Sequence, residues 1–268
     1  MASTNTNKPH ILLVQGAWDG PSTWKALIPL LNNQGYNTST VALPSVSAQD
    51  IQADATGDVK AIKSKLTSLA DAAHDIIVVM HSYAGIPGSS AIEGLSKSDR
   101  RSAGKHGGVV NLIYVSAFML DAGVSLVEAV SGGKTDVPPP DWWLFQDTEP
   151  KSLMPGDPIY RFYHDVTDQK VLDELTEGIV PQAVGAFYSK NTYAAWKDID
   201  TTYVACLADR AIPLEGQRGM LSVAQETLNK DGLGRKIREV ELDSSHSPML
   251  SMPDRLADEI VKTIQAGN

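Results

Sequence analysis

The chain has a single cysteine, Cys206, among 268 residues. That excludes an intramolecular disulfide and any cysteine-based metal site. No apolar run comes near the roughly 18 residues that a membrane span needs. The N-terminal stretch MASTNTNKPH also has no apolar core of the kind a secretory signal carries. A cytoplasmic protein with no membrane partner is therefore expected. Positive charge is in short supply too: 23 Lys and Arg face 32 Asp and Glu, for a formal net charge of −9. That balance speaks against a nucleic acid or an anionic membrane as partner. A GxGxxG fingerprint, a P-loop, a HExxH helix and a Ca²⁺ loop are all missing, so neither cofactor nor metal is implied.

What is present is a rhythm. Residues 1–8 read as a loose polar tail. Short apolar runs at 10–15, 37–43, 76–80 and 109–115 read as strands. Helical patterns lie between them at 21–33, 56–72 and 84–97. The first carries Trp24, Leu27, Ile28 and Leu31 on one face, and Pro29 predicts an irregularity within it. Residues 96–108 read as a solvated turn. Strands and helices alternating at crossover length are the signature of a parallel α/β sheet.

After about residue 118 the rhythm breaks. Residues 121–190 hold Pro138-Pro139-Pro140 and Trp142-Trp143, with no clear buried strand. Short helical pieces fall at 123–130, 157–164 and 168–177. Aromatics are too dense there for disorder. The stretch is expected to form a helical cap, a subdomain inserted within a single domain spanning 1–268. Strand–helix order resumes with a strand at 202–207, a helix at 214–229, a strand at 237–242 and a last helix from about Pro253.

The run VVMHSYAGIPGSS at 78–90 is the centre of this pattern. A buried strand leads into one Ser, then small residues, then a helix. That order suits a nucleophile elbow, a strained turn that lifts a Ser hydroxyl above the end of a parallel sheet. Ser82 is the candidate. A serine hydroxyl needs a His to take its proton and a carboxylate to orient that His. In an open parallel sheet such groups collect at the carboxyl ends of strands. Asp209 follows the strand at 202–207, and His246 follows the strand at 237–242. The order Ser, Asp, His is that of an α/β-hydrolase.

The rivals are weaker by position. His10 starts its strand, at the wrong edge. His74 and His106 fall in surface turns, and His81 packs at the elbow. His164 lies in the expected cap, where it is a candidate substrate contact. Asp121, shortly after the strand at 109–115, is the alternative acid; Asp243 is too close to His246 in sequence. An oxyanion needs N–H donors aimed at it. Tyr83, at the start of the helix after the Ser, and Ala17, in the loop after the first strand, are the candidates. Trp18, Trp142 and Trp143 are candidate pocket walls or core, and Cys206 is structural.

These residues together resemble the α/β-hydrolase fold superfamily. More narrowly, the chain is similar to the compact capped branch of plant methyl-ester esterases, hydroxynitrile lyases and microbial relatives. The stretches that carry the likeness are VQGAWDGPSTW, VVMHSYAG, LIYVSAFMLDAG, ADRAIPLEGQ and DSSHSPMLSMP, in that order along the chain. The resemblance implies a mostly parallel sheet of about six strands flanked by helices, with the cap inserted after the strand at 109–115. It implies Ser82 as nucleophile, Asp209 as acid, His246 as base, and Ala17 and Tyr83 as oxyanion donors. The family usually has His-Gly where this chain has Gln15-Gly16, and Gly where it has Met80. Gln15 is expected to hydrogen-bond and hold the loop, and Met80 to crowd the turn. A small-molecule substrate is implied, and a homodimer is compatible.

The expected activity is hydrolysis of a small to medium, mostly apolar ester or lactone through an acyl-enzyme. The first alternative is a lyase or C–C bond-cleaving enzyme, hydroxynitrile lyase-like or decarboxylating, that uses the same triad as acid and base. The second is a ligand receptor that kept the fold.

Overall fold

The computed structural model describes residues 8–47, 50–134 and 138–266; most of the tail read at 1–8 lies outside them. In chain order, β1 (His10–Val14) is followed by a 3-10 turn at Pro21–Trp24, α1 (Leu27–Asn33) and β2 (Thr38–Thr40). Next come α2 (Thr56–Asp71), β3 (Asp75–His81), a 3-10 turn at Ser82–Ala84, α3 (Gly85–Ala91), α4 (Lys97–Ser102) and β4 (Gly108–Val115). The insert then contributes α5 (Leu126–Val130), β5 (Trp143–Gln146), β6 (Ser152–Pro155), α6 (Pro158–Phe162), α7 (Gln169–Glu177), β7 (Gln182–Ala183) and α8 (Val184–Tyr188). The chain closes with β8 (Asp200–Cys206), α9 (Leu214–Lys230), β9 (Arg238–Leu242), α10 (Pro248–Ser251) and α11 (Pro253–Ala266).

Six strands make one parallel sheet in the order β2-β1-β3-β4-β8-β9. The apolar runs exist because both faces are covered, so successive residues serve two different cores. Leu12, Val14, Val78, Met80, Leu112 and Tyr114 pack with α2, α3 and α9 on one face. Ile11, Leu13, Ile77, Val79, Ile113 and Val115 pack with α1 and α11 on the other. The register pairs Val14 with Met80, Met80 with Tyr114, and Tyr114 with Tyr203. The carboxyl ends of β1, β3, β4 and β8 therefore lie side by side, and their loops share one edge.

Several expectations need correction. The helix expected at 21–33 is split, with a break at Lys25-Ala26. Pro29 explains where: its ring crowds the carbonyl four residues back, that of Lys25. The helix expected at 84–97 ends at Ala91. The solvated turn expected at 96–108 contains α4. Ser96 caps it by accepting from Asp99 N–H at 3.0 Å, and Arg100 is buried, donating to Gly107 O and Asp71.

The insert is not purely helical. Its β5, β6 and β7 form a three-stranded antiparallel sheet. These strands run for four residues or two, and Leu144 and Phe145 on β5 are exposed, so no buried run marks them. β7 also bridges back to Val46 in the loop after β2. Among the described residues no helix is long and apolar enough to cross a membrane.

Candidate active site

Ser82 sits at the end of β3 with φ at +54°, left-handed backbone that a non-Gly residue rarely adopts. The turn is held by close packing. A Cβ on Gly16 would lie 2.9 Å from Ser82 Cβ and 3.0 Å from His81 Nδ1, so the loop after β1 can approach only as glycine. Met80 does not crowd the turn as expected. A Cβ on Gly88 would meet the Met80 sulfur at 2.5 Å, so α3 makes room for that side chain with its glycine. Tyr83 N–H stands at the start of the helical run, where intrahelical partners are lacking.

Asp209, in the loop after β8, and His246, after β9, meet at 2.7 Å between Oδ2 and Nδ1, and both are buried. A carboxylate only accepts, so His246 Nδ1 carries a proton and Nε2 is left as the basic nitrogen. The carboxylate is fixed on its other sides. Ala211 and Ile212 N–H groups donate to Oδ1 at 2.7 and 2.9 Å. The Ser116 hydroxyl, at the end of β4, donates to Oδ2, and Gln217 on α9 adds a long contact. Ser116 Oγ also lies 3.3 Å from His246 Nδ1. Asp121 is elsewhere, ion-paired with Lys197 at 3.0 Å. His81 donates from Nε2 to His246 O at 2.9 Å, and burial holds it well below the ordinary histidine range.

Ser82 and His246 open on a cavity of about 480 Å³. Ala17, Trp18, Tyr83, Trp142 and Trp143 line it, as do Phe162 and Phe187. Trp18 packs against Phe162 and Phe187 at ring-centroid distances of 5.7 and 5.5 Å. His164 is not among the lining residues, so the structure does not bring that candidate to the cavity. Among the described residues the lining contains no lysine or arginine, and Glu215 is its one carboxylate. No group of three His, Cys, Asp or Glu is placed to hold a metal among the described residues.

A second polar network is built around Tyr83, and no sequence pattern marks it. The Asp58 carboxylate on α2, fully buried, accepts from Ser45 N–H at 2.8 Å, Ser45 Oγ at 2.6 Å and Tyr83 Oη at 2.7 Å. Gln182 on β7 then donates to Ser45 Oγ at 3.1 Å and accepts from Trp18 N–H at 3.3 Å. The chain of bonds thus joins Tyr83 to the loop that carries Ala17. Burial raises the Asp58 carboxyl above the usual range, and its hydrogen bonds oppose that rise. The partners of Asp58 are 13 and 25 residues away, at no spacing a pattern could flag.

The family model described as the alpha/beta hydrolase family matches residues 11–259. The chain is 30% identical over 247 residues to the alpha/beta hydrolase nvfD of Aspergillus novofumigatus, covering 92% of this chain and 93% of that protein. It is 26% identical over 257 residues to the probable hydrolase R7 of a Phoma species, covering 95% and 98%. Among solved structures, tomato methylketone synthase I complexed with 2-tridecanone superposes with a TM-score of 0.74 at 16% identity, covering 97% and 99%. That last likeness is one of fold.

Proposed function

The chain belongs to the alpha/beta hydrolase family, and we propose that it is a serine hydrolase cleaving a small to medium, mostly apolar ester or lactone. One observation carries this reading: His246, bonded to the buried Asp209, lines one largely apolar cavity with Ser82 on its left-handed turn. In this reading His246 Nε2 takes the Ser82 proton, and Ser82 Oγ attacks the substrate carbonyl. Asp209 holds the imidazole tautomer and stabilises the imidazolium. The N–H groups of Ala17 and Tyr83 receive the oxyanion. His246 returns the proton to the leaving alcohol, and water then cleaves the acyl-enzyme.

Aromatic walls favour a neutral, apolar acyl or alkoxy group, and the insert acts as a cap over it. A free carboxylate would meet Glu215 and no lysine or arginine among the described lining residues, which favours ester hydrolysis over the decarboxylation of an acid. The test is intact mass after treatment with a serine-reactive fluorophosphonate. A single adduct on the native chain and none on a folded Ser82→Ala variant is expected. Labelling of both, or of neither, overturns the reading.

A further inference from the structure

Beside Ser82, sharing the walls of Trp18, Phe162 and His246 with the large cavity, lies a chamber of about 10 Å³. Asp19, His81, Ser82, His246 and Ser247 line it together with apolar groups of Trp18 and Phe162. Its size is near the ~10–15 Å³ that one water molecule requires, and a water also needs two or more polar partners. The walls supply them.

The first is His81 Nδ1. The side chain is 2% exposed, and Nε2 is committed as donor to His246 O, a carbonyl that can only accept. Nδ1 is then an acceptor, and it has no hydrogen-bond partner among the described residues. A buried acceptor left so carries a desolvation cost that a bound donor would recover. The second is the Asp19 carboxylate. Its contacts with Tyr163 Oη are long, 3.3 and 3.4 Å, and leave accepting capacity unused. Burial and the neighbouring Asp19 carboxylate keep the Tyr163 phenol well above its ordinary range, so it remains a donor. Ser82 and His246 complete the wall on the side of the reacting groups.

We propose that this chamber binds a single water between His81 Nδ1 and Asp19, and that this water is the nucleophile that cleaves the acyl-enzyme. The inference rests on the serine-hydrolase reading above. The water's two O–H bonds point to the two acceptors when the site is at rest. When the Ser82 ester forms, one O–H turns to His246 Nε2. The water oxygen then bonds to the acyl carbon as its proton passes to Nε2. The acyl carbon–Oγ bond breaks, Ser82 Oγ takes that proton back, and the acid product leaves. Asp19 touches the water and is in that sense a catalytic residue; Tyr163 is a positioning residue that acts through it.

The test pairs a crystal structure with pre-steady-state kinetics on p-nitrophenyl butyrate. The crystal structure, at a resolution that shows ordered water, should place one water within hydrogen-bond reach of His81 Nδ1 and the Asp19 carboxylate. A chamber without it overturns the site. The native chain and Asp19→Ala should both give a stoichiometric burst of p-nitrophenol. The slow phase, deacylation, should be about tenfold slower in Asp19→Ala. Asp19→Asn retains an acceptor oxygen and should restore most of the rate. An intact burst with an unchanged slow phase in Asp19→Ala overturns the water's role alone. No burst from the native chain overturns that role together with the serine-hydrolase reading.

Discussion

Asp209 and Trp18 stand on opposite flanks of Ser82 and are anchored by different parts of the molecule. Among the described residues, every hydrogen bond to the Asp209 carboxylate comes from the sheet's own connections and from α9: Ser116, Ala211, Ile212, Gln217 and His246. The loop carrying Trp18 and Ala17 is instead knit to the insert. Trp18 N–H donates to Gln182, Trp18 Nε1 to Leu153 O at 3.0 Å, and Val180 N–H to Trp18 O at 3.0 Å. In the proposed mechanism the acid thus depends on the sheet, whereas the loop before His246 also touches the insert, with Ser245 donating to Asp165 and to Phe162 O at 2.8 Å each. The oxyanion loop is tied to the insert's small antiparallel sheet. Changes around Gln182 and Leu153 in the insert should reach the proposed oxyanion donors before they reach Asp209.

The largest break in that comparison is Asp209→Asn. An amide at that position donates as well as accepts, so it can hold the wrong imidazole tautomer. kcat on an activated ester should fall by about 10³–10⁴. The circular dichroism spectrum should stay native. A loss of only a few-fold would mean that Ser116, which reaches both partners, orients His246 without the carboxylate.

Gln182→Ala attacks the other flank, from within the insert. It leaves Ser45 Oγ short of a donor and Trp18 N–H without an acceptor in a buried site. The stability cost should be about 1–3 kcal/mol. kcat should fall about tenfold through displacement of the Ala17 N–H, with a smaller change in KM. Isotope-edited NMR of the Asp209–His246 proton should be unaltered. A shifted proton signal with unchanged kcat would erase the distinction between the flanks.

The two flanks also differ in how far they could be read from sequence. Asp209 and His246 each follow a β-branched or apolar run, and strand ends in a parallel sheet are where groups converge. The strand–helix alternation of a parallel sheet followed from the same runs. Nothing comparable marks the oxyanion flank's support. Ser45, Asp58 and Gln182 are polar residues at unrelated spacings, joined only once the insert folds back on the sheet. The insert's strands were illegible for the same reason: they are short, and their pairing is set by long-range contact rather than by period. Met80 shows the opposite error. A local motif mismatch suggested crowding, yet a glycine on the next helix makes the space.

pH separates the flanks on a smaller scale. Burial raises the Asp19 carboxyl, in the loop after β1, to about 6. Between the ordinary carboxylate range and about 6, the folded chain holds a proton that the unfolded chain has lost. Native stability therefore falls as pH climbs through that window. Asp19→Asn carries no such charge. Its Tm should exceed that of the native chain by a few degrees above pH 6, and the gain should shrink as pH drops toward 4. A gain independent of pH would mean that the carboxyl is not perturbed in the fold.

The smallest effect is the most discriminating one, because it asks what holds the oxyanion loop. Gln15 follows β1, and the sequence suggested that its amide holds the loop. In the structure Gln15 is fully buried and neither Oε1 nor Nε2 has a hydrogen-bond partner among the described residues. The bonds that fix the loop come one turn later, at Trp18. Gln15→Met keeps the length and removes the two unsatisfied groups, so it should stabilise the fold by about 1 kcal/mol. In a chain of this size that is a rise of about 2–4 °C in Tm. Activity should be unchanged, since Gly16 still approaches Ser82 and Gln182 still holds Trp18. A more stable variant with full activity would assign the loop's geometry to the insert. A variant that loses tenfold in kcat would return it to Gln15, and the two flanks of Ser82 would then both be built by the sheet.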